Sequence, residues 1–227
     1  MINIKWKPLT LACVGTCLAI NVHASSRDGL YFGAGIGAAF DQFDLTTKNI
    51  INGFTVKSPM NEKTSAVGNV FVGYGGTADS GFYLAGELGT YFPSRSATNY
   101  GRPGVFITAS TFTDTMRVQD YATIDALPGY RLNEAWLLYG RAGLTYAHFE
   151  LNQAATALVP AFNSSENKWG GRIGAGLNFA FNSNLGIGLD YFYTHYPKVN
   201  TTAGAFNTSF TQQVCSNYVG ISALYTI

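Results

Sequence analysis

The chain has 227 residues, of which 12% are charged and 15% are aromatic, and its formal net charge is +1. Because a soluble globular domain carries about 25% charged residues, this composition indicates that something other than water covers much of the surface. Lysine and arginine are scattered rather than clustered, which argues against nucleic acid as a partner.

The first 24 residues have the organisation of a secretory signal peptide. Lys5 and Lys7 form a positive start, residues 9–20 are apolar, and Ala24 closes a short run that a signal peptidase would recognise. We expect cleavage after Ala24, so that residues 25–227 form the mature domain. A retained anchor helix is the alternative, and it is disfavoured because the apolar run is shorter than the ~20 residues of a spanning helix.

From Gly29 onward, apolar residues recur with a period of two in segments of about ten residues. The first segment places Leu30 and Ile36 on one face, and small or polar residues, Asp41 among them, on the other. This region lacks the ~18 consecutive apolar residues of a helical span, so a closed barrel is the membrane structure that remains. Eight such segments are predicted, near residues 30–41, 66–75, 81–92, 116–130, 136–149, 169–181, 185–195 and 214–227.

The connections between these segments alternate in length. Short polar turns are predicted at residues 76–80, 132–135 and 182–184, and long loops at residues 44–64, 93–115, 151–168 and 196–213. Outer-membrane barrels have short periplasmic turns and long extracellular loops, so both termini are expected in the periplasm. The predicted fold is all-β, an eight-stranded antiparallel up-and-down barrel that spans a bacterial outer membrane.

The fourth segment is less regular than the others. Ala122 and Ile124 are expected to face outward, and Tyr121 is expected to face inward with Asp125. Pro128 cannot donate a hydrogen bond to the ladder, so it is predicted to mark a bulge or the end of the strand.

Five charged residues fall in mid-strand positions on the face opposite the apolar one: Glu87, Asp125, Arg141, Arg172 and Asp190. A soluble barrel of the lipocalin type would place the apolar face inside. The reverse is favoured, because glycine and alanine beside these charges leave room for arginine and tyrosine in a narrow lumen. We expect the five charges to pair, since an isolated buried charge costs several kcal/mol. The alternative is a narrow ion path that opens when the pairs rearrange.

Aromatic residues stand near both ends of the outward rows and are predicted to form two girdles at the membrane interfaces. One girdle contains Tyr130, Trp136, Phe179 and Tyr225, and the other contains Phe40, Phe92, Tyr146, Trp169 and Tyr193.

The chain resembles the small OmpA/OmpX-type and opacity-type outer-membrane barrels. The resemblance rests on Gly-Tyr-Arg-Leu-Asn at 129–133, on Leu-Tyr-Gly-Arg-Ala-Gly-Leu at 138–144, and on the last strand. It implies contact with outer-membrane lipid and lipopolysaccharide, and insertion by the barrel-assembly machinery. The family's insertion signal alternates apolar residues and ends in phenylalanine. Its positions here are Val219, Ile221, Ala223, Tyr225 and Ile227, with isoleucine in place of the terminal aromatic.

The long predicted loops are rich in Asn, Thr, Ser and Ala and contain Phe106, Phe112, Phe162, Phe206 and Phe210. Loops on a rigid scaffold often carry binding function, so we expect a structural or adhesin-like role toward host or matrix ligands. Two alternatives stay open: the loops only cap the barrel, or the barrel is a narrow porin-like channel for small molecules.

No catalytic role is predicted. His148 and His195 fall near the outer rim, but neither belongs to a recognisable set of nucleophile, base and orienting group. No group of histidine, cysteine or carboxylate residues has metal-ligand spacing, and no cofactor is expected.

Overall fold

The computed structural model describes residues 26–51, 53–59, 63–100, 113–154, 161–203 and 208–227. Within them, no helix has the length and apolarity that a membrane span requires. The predicted signal peptide, together with Phe106, Phe112 and Phe206, lies outside the described residues.

Strands make up the regular structure of the described chain. They are β1 (Gly29–Asn49), β2 (Thr55–Pro59), β3 (Lys63–Thr77), β4 (Phe82–Phe92), β5 (Arg95–Tyr100), β6 (Thr113–Arg131), β7 (Trp136–Gln153), β8 (Phe162–Ala180), β9 (Leu185–His195), β10 (Val199–Ala203) and β11 (Thr208–Thr226).

Eight of these strands form a closed antiparallel ring in the order β1, β3, β4, β6, β7, β8, β9 and β11. The last strand closes it by pairing with both β9 and β1, with Ile221 opposite Ile36. Closure satisfies every strand edge, which is what a sheet within lipid requires. The predicted eight-stranded barrel is confirmed. The three short strands β2, β5 and β10 pair with one end of β1, β6 and β11.

The two described chain ends meet at the end of the barrel that carries the short turns. These turns cover residues 78–81, 132–135 and 181–184. The backbone N–H of Ile227 donates to Leu30 O at 2.9 Å, and that of Thr226 donates to Asn184 O at 2.7 Å. Because short turns are periplasmic in this class of barrel, we assign this end to the periplasm.

The outward face carries a continuous apolar band. On β1 it runs from Leu30 to Phe40, which matches the roughly 9–11 residues of a transmembrane strand. Side chains in the band are open to the surroundings of the barrel, as Ile36 is at 68% exposure. This band is the lipid-facing surface, as the alternation predicts.

The strands continue above the band, into regions that the sequence pattern assigned to long loops. The prediction of long loops there is wrong. The alternation persists with its polarity reversed: Gln42 and Lys48 point outward, while Phe43 and Leu45 point inward and are almost fully buried. We call this extension the collar, formed by residues 41–49, 55–59, 95–100, 113–120, 147–153, 162–168, 196–203 and 208–216. From Asp41 to Asn49, at about 3.3 Å per residue and a tilt of about 40°, β1 rises roughly 20 Å above the band.

A hydrophobic core fills the collar. Its buried members are Phe43, Leu45, Ala97, Met116, Val118, Ala147, Phe149, Leu151, Tyr196, Val199, Phe210 and Val214. Phe162 packs against them, and its ring lies 5.7 Å from that of Phe210. The prediction that these two phenylalanines lie in long loops is therefore wrong, because both stand at inward positions of strands. The collar has the polarity of a soluble barrel.

One β-bulge interrupts the pairing of β6 with β7, between Asp120 and Ala122. The extra residue puts Tyr121 and Ala122 on the outer face in succession, and Tyr121 is 44% exposed. The predicted inward position of Tyr121 is wrong. Pro128 marks neither a bulge nor a strand end, because β6 keeps its register there and continues to Arg131.

Candidate functional site

The five charged residues predicted for the lumen lie together in the middle of the barrel. Arg141 Nη1 donates to Glu87 Oε1 at 2.6 Å and to Asp125 Oδ2 at 2.8 Å, and its Nη2 donates to Asp190 Oδ1 at 3.1 Å. Arg172 binds Asp125 with two nitrogens, Nε at 2.6 Å from Oδ1 and Nη2 on Oδ2. We call these five residues the central network. It joins five strands of the ring.

Aromatic side chains fill the space around the central network. The guanidinium of Arg172 lies 4.7 Å from the ring centre of Phe192 and 5.2 Å from that of Tyr91, within cation–π distance. Tyr139 donates its hydroxyl to Asp190 Oδ1 at 2.8 Å. An inward glycine makes room for this ring, since a Cβ at Gly176 would come within 2.3 Å of it.

Arg27 lies beneath the central network and closes the periplasmic end. Its side chain is fully buried, with Nη1 3.7 Å from Glu87 Oε2 and the guanidinium 4.7 Å from the ring centre of Tyr139. It provides a third cation beside the three carboxylates of the network. The sequence gives no signal for this position, because Arg27 precedes the first strand and lies outside the alternating pattern.

A second ion cluster lies at the base of the collar. Arg95 Nη2 donates to Asp120 Oδ2 at 2.6 Å, and its Nη1 donates to Ser216 Oγ at 2.8 Å and to Asp41. We call Asp41, Arg95, Asp120 and Ser216, with Tyr196, the upper network. Only Asp41 was placed on the inward face by the sequence. Arg95 falls in a predicted loop, and the bulge brings Asp120 inward.

Tyr196 completes the upper network as a hydrogen-bond donor. Its hydroxyl donates to Asp120 Oδ1, which also accepts from Thr145 Oγ1 at 3.0 Å. Burial raises the pKa of the Tyr196 hydroxyl well above its ordinary value, so this group keeps its proton. A neutral tyrosine and a charged arginine thus share one carboxylate.

A cavity with room for about one water molecule lies between the upper network and the aromatic side chains that cover Arg172. Tyr91 and Phe192 line it from below, and Arg95 and Asp120 line it from above. Arg27, the central network, the upper network and the collar core follow one another along the lumen. In the described part of the chain, side chains therefore occupy the barrel interior from the periplasmic end into the collar.

The predicted girdle aromatics lie on the outward face near the two ends of the band. Those at the periplasmic end are Tyr130, Trp136 and Tyr225, and those at the collar end are Phe40, Phe92, Tyr146, Trp169 and Tyr193. Neighbouring rings pack together, with centroids 4.8 Å apart for Trp136 and Phe179 and 5.0 Å apart for Tyr146 and Trp169. Tyr121, displaced outward by the bulge, lies against the ring of Tyr146 at 6.5 Å.

The predicted insertion signal lies on β11, the strand that closes the ring. Val219, Ile221, Ala223 and Tyr225 face outward on this strand, and Ile227, the residue after its end, is exposed. The signalling role of these residues stays a prediction.

Both rim histidines lie on the outer surface at the collar end of the band. His148 Nδ1 lies 2.7 Å from Asn167 Oδ1, and His195 Nδ1 lies 3.2 Å from Cys215 Sγ. Across the residues that the structure describes, no group of three or more histidine, cysteine, aspartate or glutamate side chains could hold a metal ion.

The fold resembles solved outer-membrane proteins. The outer membrane protease OmpT of Escherichia coli is 8% identical, with a TM-score of 0.55, and the likeness covers 91% of this chain and 99% of that one. Ail, the attachment invasion locus protein of Yersinia pestis, is 17% identical with a TM-score of 0.39, over 87% of this chain and 99% of that one.

Sequence comparison identifies relatives more directly. The 31 kDa outer-membrane immunogenic protein of Brucella melitensis biotype 1 is 33% identical over 141 residues, which cover 59% of this chain and 55% of the relative. The matching region is thus about half the length of that relative. Residues 9–212 match the family model described as the outer membrane protein beta-barrel domain. This chain belongs to that family and is a bacterial outer-membrane protein.

Proposed function

We propose that this barrel is a non-enzymatic surface protein whose collar and extracellular loops interact with host or matrix ligands. The observation that carries the proposal is the collar. Its strands rise roughly 20 Å above the apolar band and have their own hydrophobic core. Such a platform holds loops away from the membrane in a fixed arrangement, and loops on rigid scaffolds are where binding function concentrates.

The filled lumen disfavours the alternative of a channel. A permeating ion would have to pass Arg27, the central network, the upper network and the collar core. Opening a route would separate buried ion pairs, which costs several kcal/mol for each uncompensated charge. We expect no steady conductance in planar-bilayer recordings of the purified protein.

The relatives are consistent with exposure at the cell surface. The Brucella protein is named as immunogenic, which for an outer-membrane protein supports contact with a host. Because the matching region covers about half of that protein, its properties enter here only as part of the proposal. We further propose that the girdles bind outer-membrane lipid and lipopolysaccharide, and that β11 is recognised by the barrel-assembly machinery.

A whole-cell attachment assay tests the proposed function. Each connection at the collar end, residues 50–54, 101–112, 154–161 and 204–207, is replaced in turn by a short glycine-containing turn. We expect at least one replacement to abolish attachment to host cells or extracellular matrix, while a matched replacement in the periplasmic turn 132–135 leaves attachment unchanged. Attachment that survives all four replacements, with the barrels folded and in the outer membrane, would contradict the proposal.

A further inference from the structure

The turn between β1 and β2 presents apolar side chains at the far end of the collar. Ile50 and Ile51 are 51% and 77% exposed, and Phe54 is 52% exposed. The other exposed large apolar side chains of the described residues lie in the band, its girdles or the periplasmic end. The collar is otherwise polar on its outer face, so this apolar tip stands apart from its surroundings.

Three hydrogen bonds join the described residues of this turn. The N–H of Asn49 donates to Phe54 O at 2.8 Å, and the N–H of Gly53 donates to Asn49 O at 3.0 Å. The Asn49 side chain accepts from the N–H of Ile51 at 2.8 Å. Gly53 has φ of +72°, which glycine adopts without strain. These bonds order the backbone beside the two isoleucines, and such ordering lowers the entropy cost of binding.

Positive charge flanks the apolar tip. Lys48 and Lys57 are exposed, and because Lys48 pairs with Thr55 and Thr46 with Lys57, both lysines lie on the outer face of the two strands. The sequence contains no acidic residue between positions 48 and 58. Asp44, further down the same face, is the nearest carboxylate of β1.

We propose that this turn inserts into the anionic phospholipid surface of an apposed membrane. An apolar tip with basic flanks is the combination that binds the interface of an anionic bilayer, through buried apolar area and attraction to headgroups. The tip stands roughly 20 Å above the protein's own band, which favours an opposing bilayer as the lipid it reaches. This inference rests on the proposed surface-interaction function, and it names an anionic phospholipid membrane as the partner of the turn between β1 and β2.

Vesicle binding tests the inference on the whole barrel. The protein is reconstituted in phosphatidylcholine nanodiscs and mixed with vesicles of phosphatidylcholine and phosphatidylglycerol. We expect co-flotation with these vesicles, weak binding to phosphatidylcholine alone, and weaker binding at high salt. The double variant Ile50→Asn with Ile51→Asn is expected to bind about tenfold more weakly. The pair Lys48→Ala with Lys57→Ala is expected to lose a similar factor, about tenfold.

A fluorescent reporter shows whether the tip itself enters the bilayer. In Ile51→Trp, the emission is expected to shift to the blue when anionic vesicles are added and to be quenched by brominated lipid. The matched control Thr202→Trp, on the exposed face of β10, is expected to keep its emission. Unchanged emission from Ile51→Trp overturns the inference, as does binding to lipopolysaccharide without binding to phospholipid vesicles.

The cell assay separates this inference from the function on which it rests. If the wild type does not bind the anionic vesicles while one of the loop replacements abolishes attachment to cells, the lipid inference is overturned and the adhesive function stands. If the Ile50→Asn, Ile51→Asn variant loses vesicle binding and cell attachment together, both are supported.

Discussion

Arg27 Nη1 lies 3.7 Å from Glu87 Oε2, so a residue two positions before the first strand reaches the ion network in the middle of the lumen. Arg27 brings the cations of this region to three, beside the three carboxylates Glu87, Asp125 and Asp190. The central network alone has only two cations, Arg141 and Arg172. The N-terminal segment of the described chain is thus part of the lumen filling.

Removing Arg27 is expected to destabilise the barrel. In Arg27→Met, Glu87 keeps Arg141 as its partner but loses a nearby charge, and we expect a loss of about 2 kcal/mol in the free energy of unfolding. Urea unfolding in detergent, followed by tryptophan fluorescence, measures it. Adding Glu87→Gln should cost less than the sum of the two single changes. Strict additivity would mean that the two residues do not interact.

We expect Arg141 to contribute more to stability than Arg27 does, because Arg141 contacts three carboxylates. We expect Arg141→Met to lose about 3–5 kcal/mol, since it removes the arginine that hydrogen-bonds Glu87 and Asp190 and one of the two that bind Asp125. Arg172→Met is also expected to lower the free energy of unfolding. The control is Arg117→Met, whose side chain is 52% exposed and pairs with Glu150 at 3.6 Å, where the loss should stay below about 1 kcal/mol. Equal effects at positions 141 and 117 would count against the network.

Truncating a buried side chain of the collar core is expected to destabilise the collar locally. Phe149 is 3% exposed and packs edge-on against Tyr196 at 5.2 Å, so Phe149→Ala should cost about 3–5 kcal/mol. Hydrogen exchange should accelerate in the collar strands while the band stays protected. The matched control Phe40→Ala, at the outward girdle, should leave collar exchange unchanged. The same hydrogen-exchange pattern in Phe149→Ala and Phe40→Ala would contradict a collar core that is separate from the band.

Asp114 predicts how the stability of the collar depends on pH. Burial raises the pKa of its carboxyl to about 6, against the smaller opposing effect of a hydrogen bond with Gln153. Because the folded-state pKa is above the unfolded value of about 3.9, the folded state binds the proton more tightly. The contribution to stability is therefore greatest below about pH 4, decreases between about pH 4 and 6, and stays reduced above that range.

Substitution of Asp114 isolates this effect. Asp114→Asn should remove the decrease between about pH 4 and 6 and stabilise the protein near pH 7 by up to about 3 kcal/mol. The measurement is the difference in urea midpoint between wild type and variant across this range, in which other titrating groups cancel. A difference that stays constant from pH 4 to 7 would contradict the burial of this carboxylate.

Sequence patterns predicted the band more fully than the collar. In the band, large apolar residues such as Ile187 alternate with glycine or charge, and this contrast identifies strands and their orientation. In the collar, outward positions are polar, with Thr, Ser, Asn and Lys among them, a composition that resembles loops although threonine favours strands. Arg95 was missed for that reason. The bulge at Asp120 has no neighbouring glycine or proline to signal it, so Tyr121 was assigned to the wrong face.

One continuous outward face of the barrel contacts lipid up to the outer girdle and water above it. Nitroxide labels at Ile36 and Lys48, in a Cys215→Ser background in lipid bilayers, test this arrangement most directly, because both positions lie on the outer face of β1. The Ile36 label should be relaxed mainly by oxygen and the Lys48 label mainly by a water-soluble nickel complex. If the two labels were relaxed equally by the nickel complex, or equally by oxygen, the assignment of band and collar would be wrong.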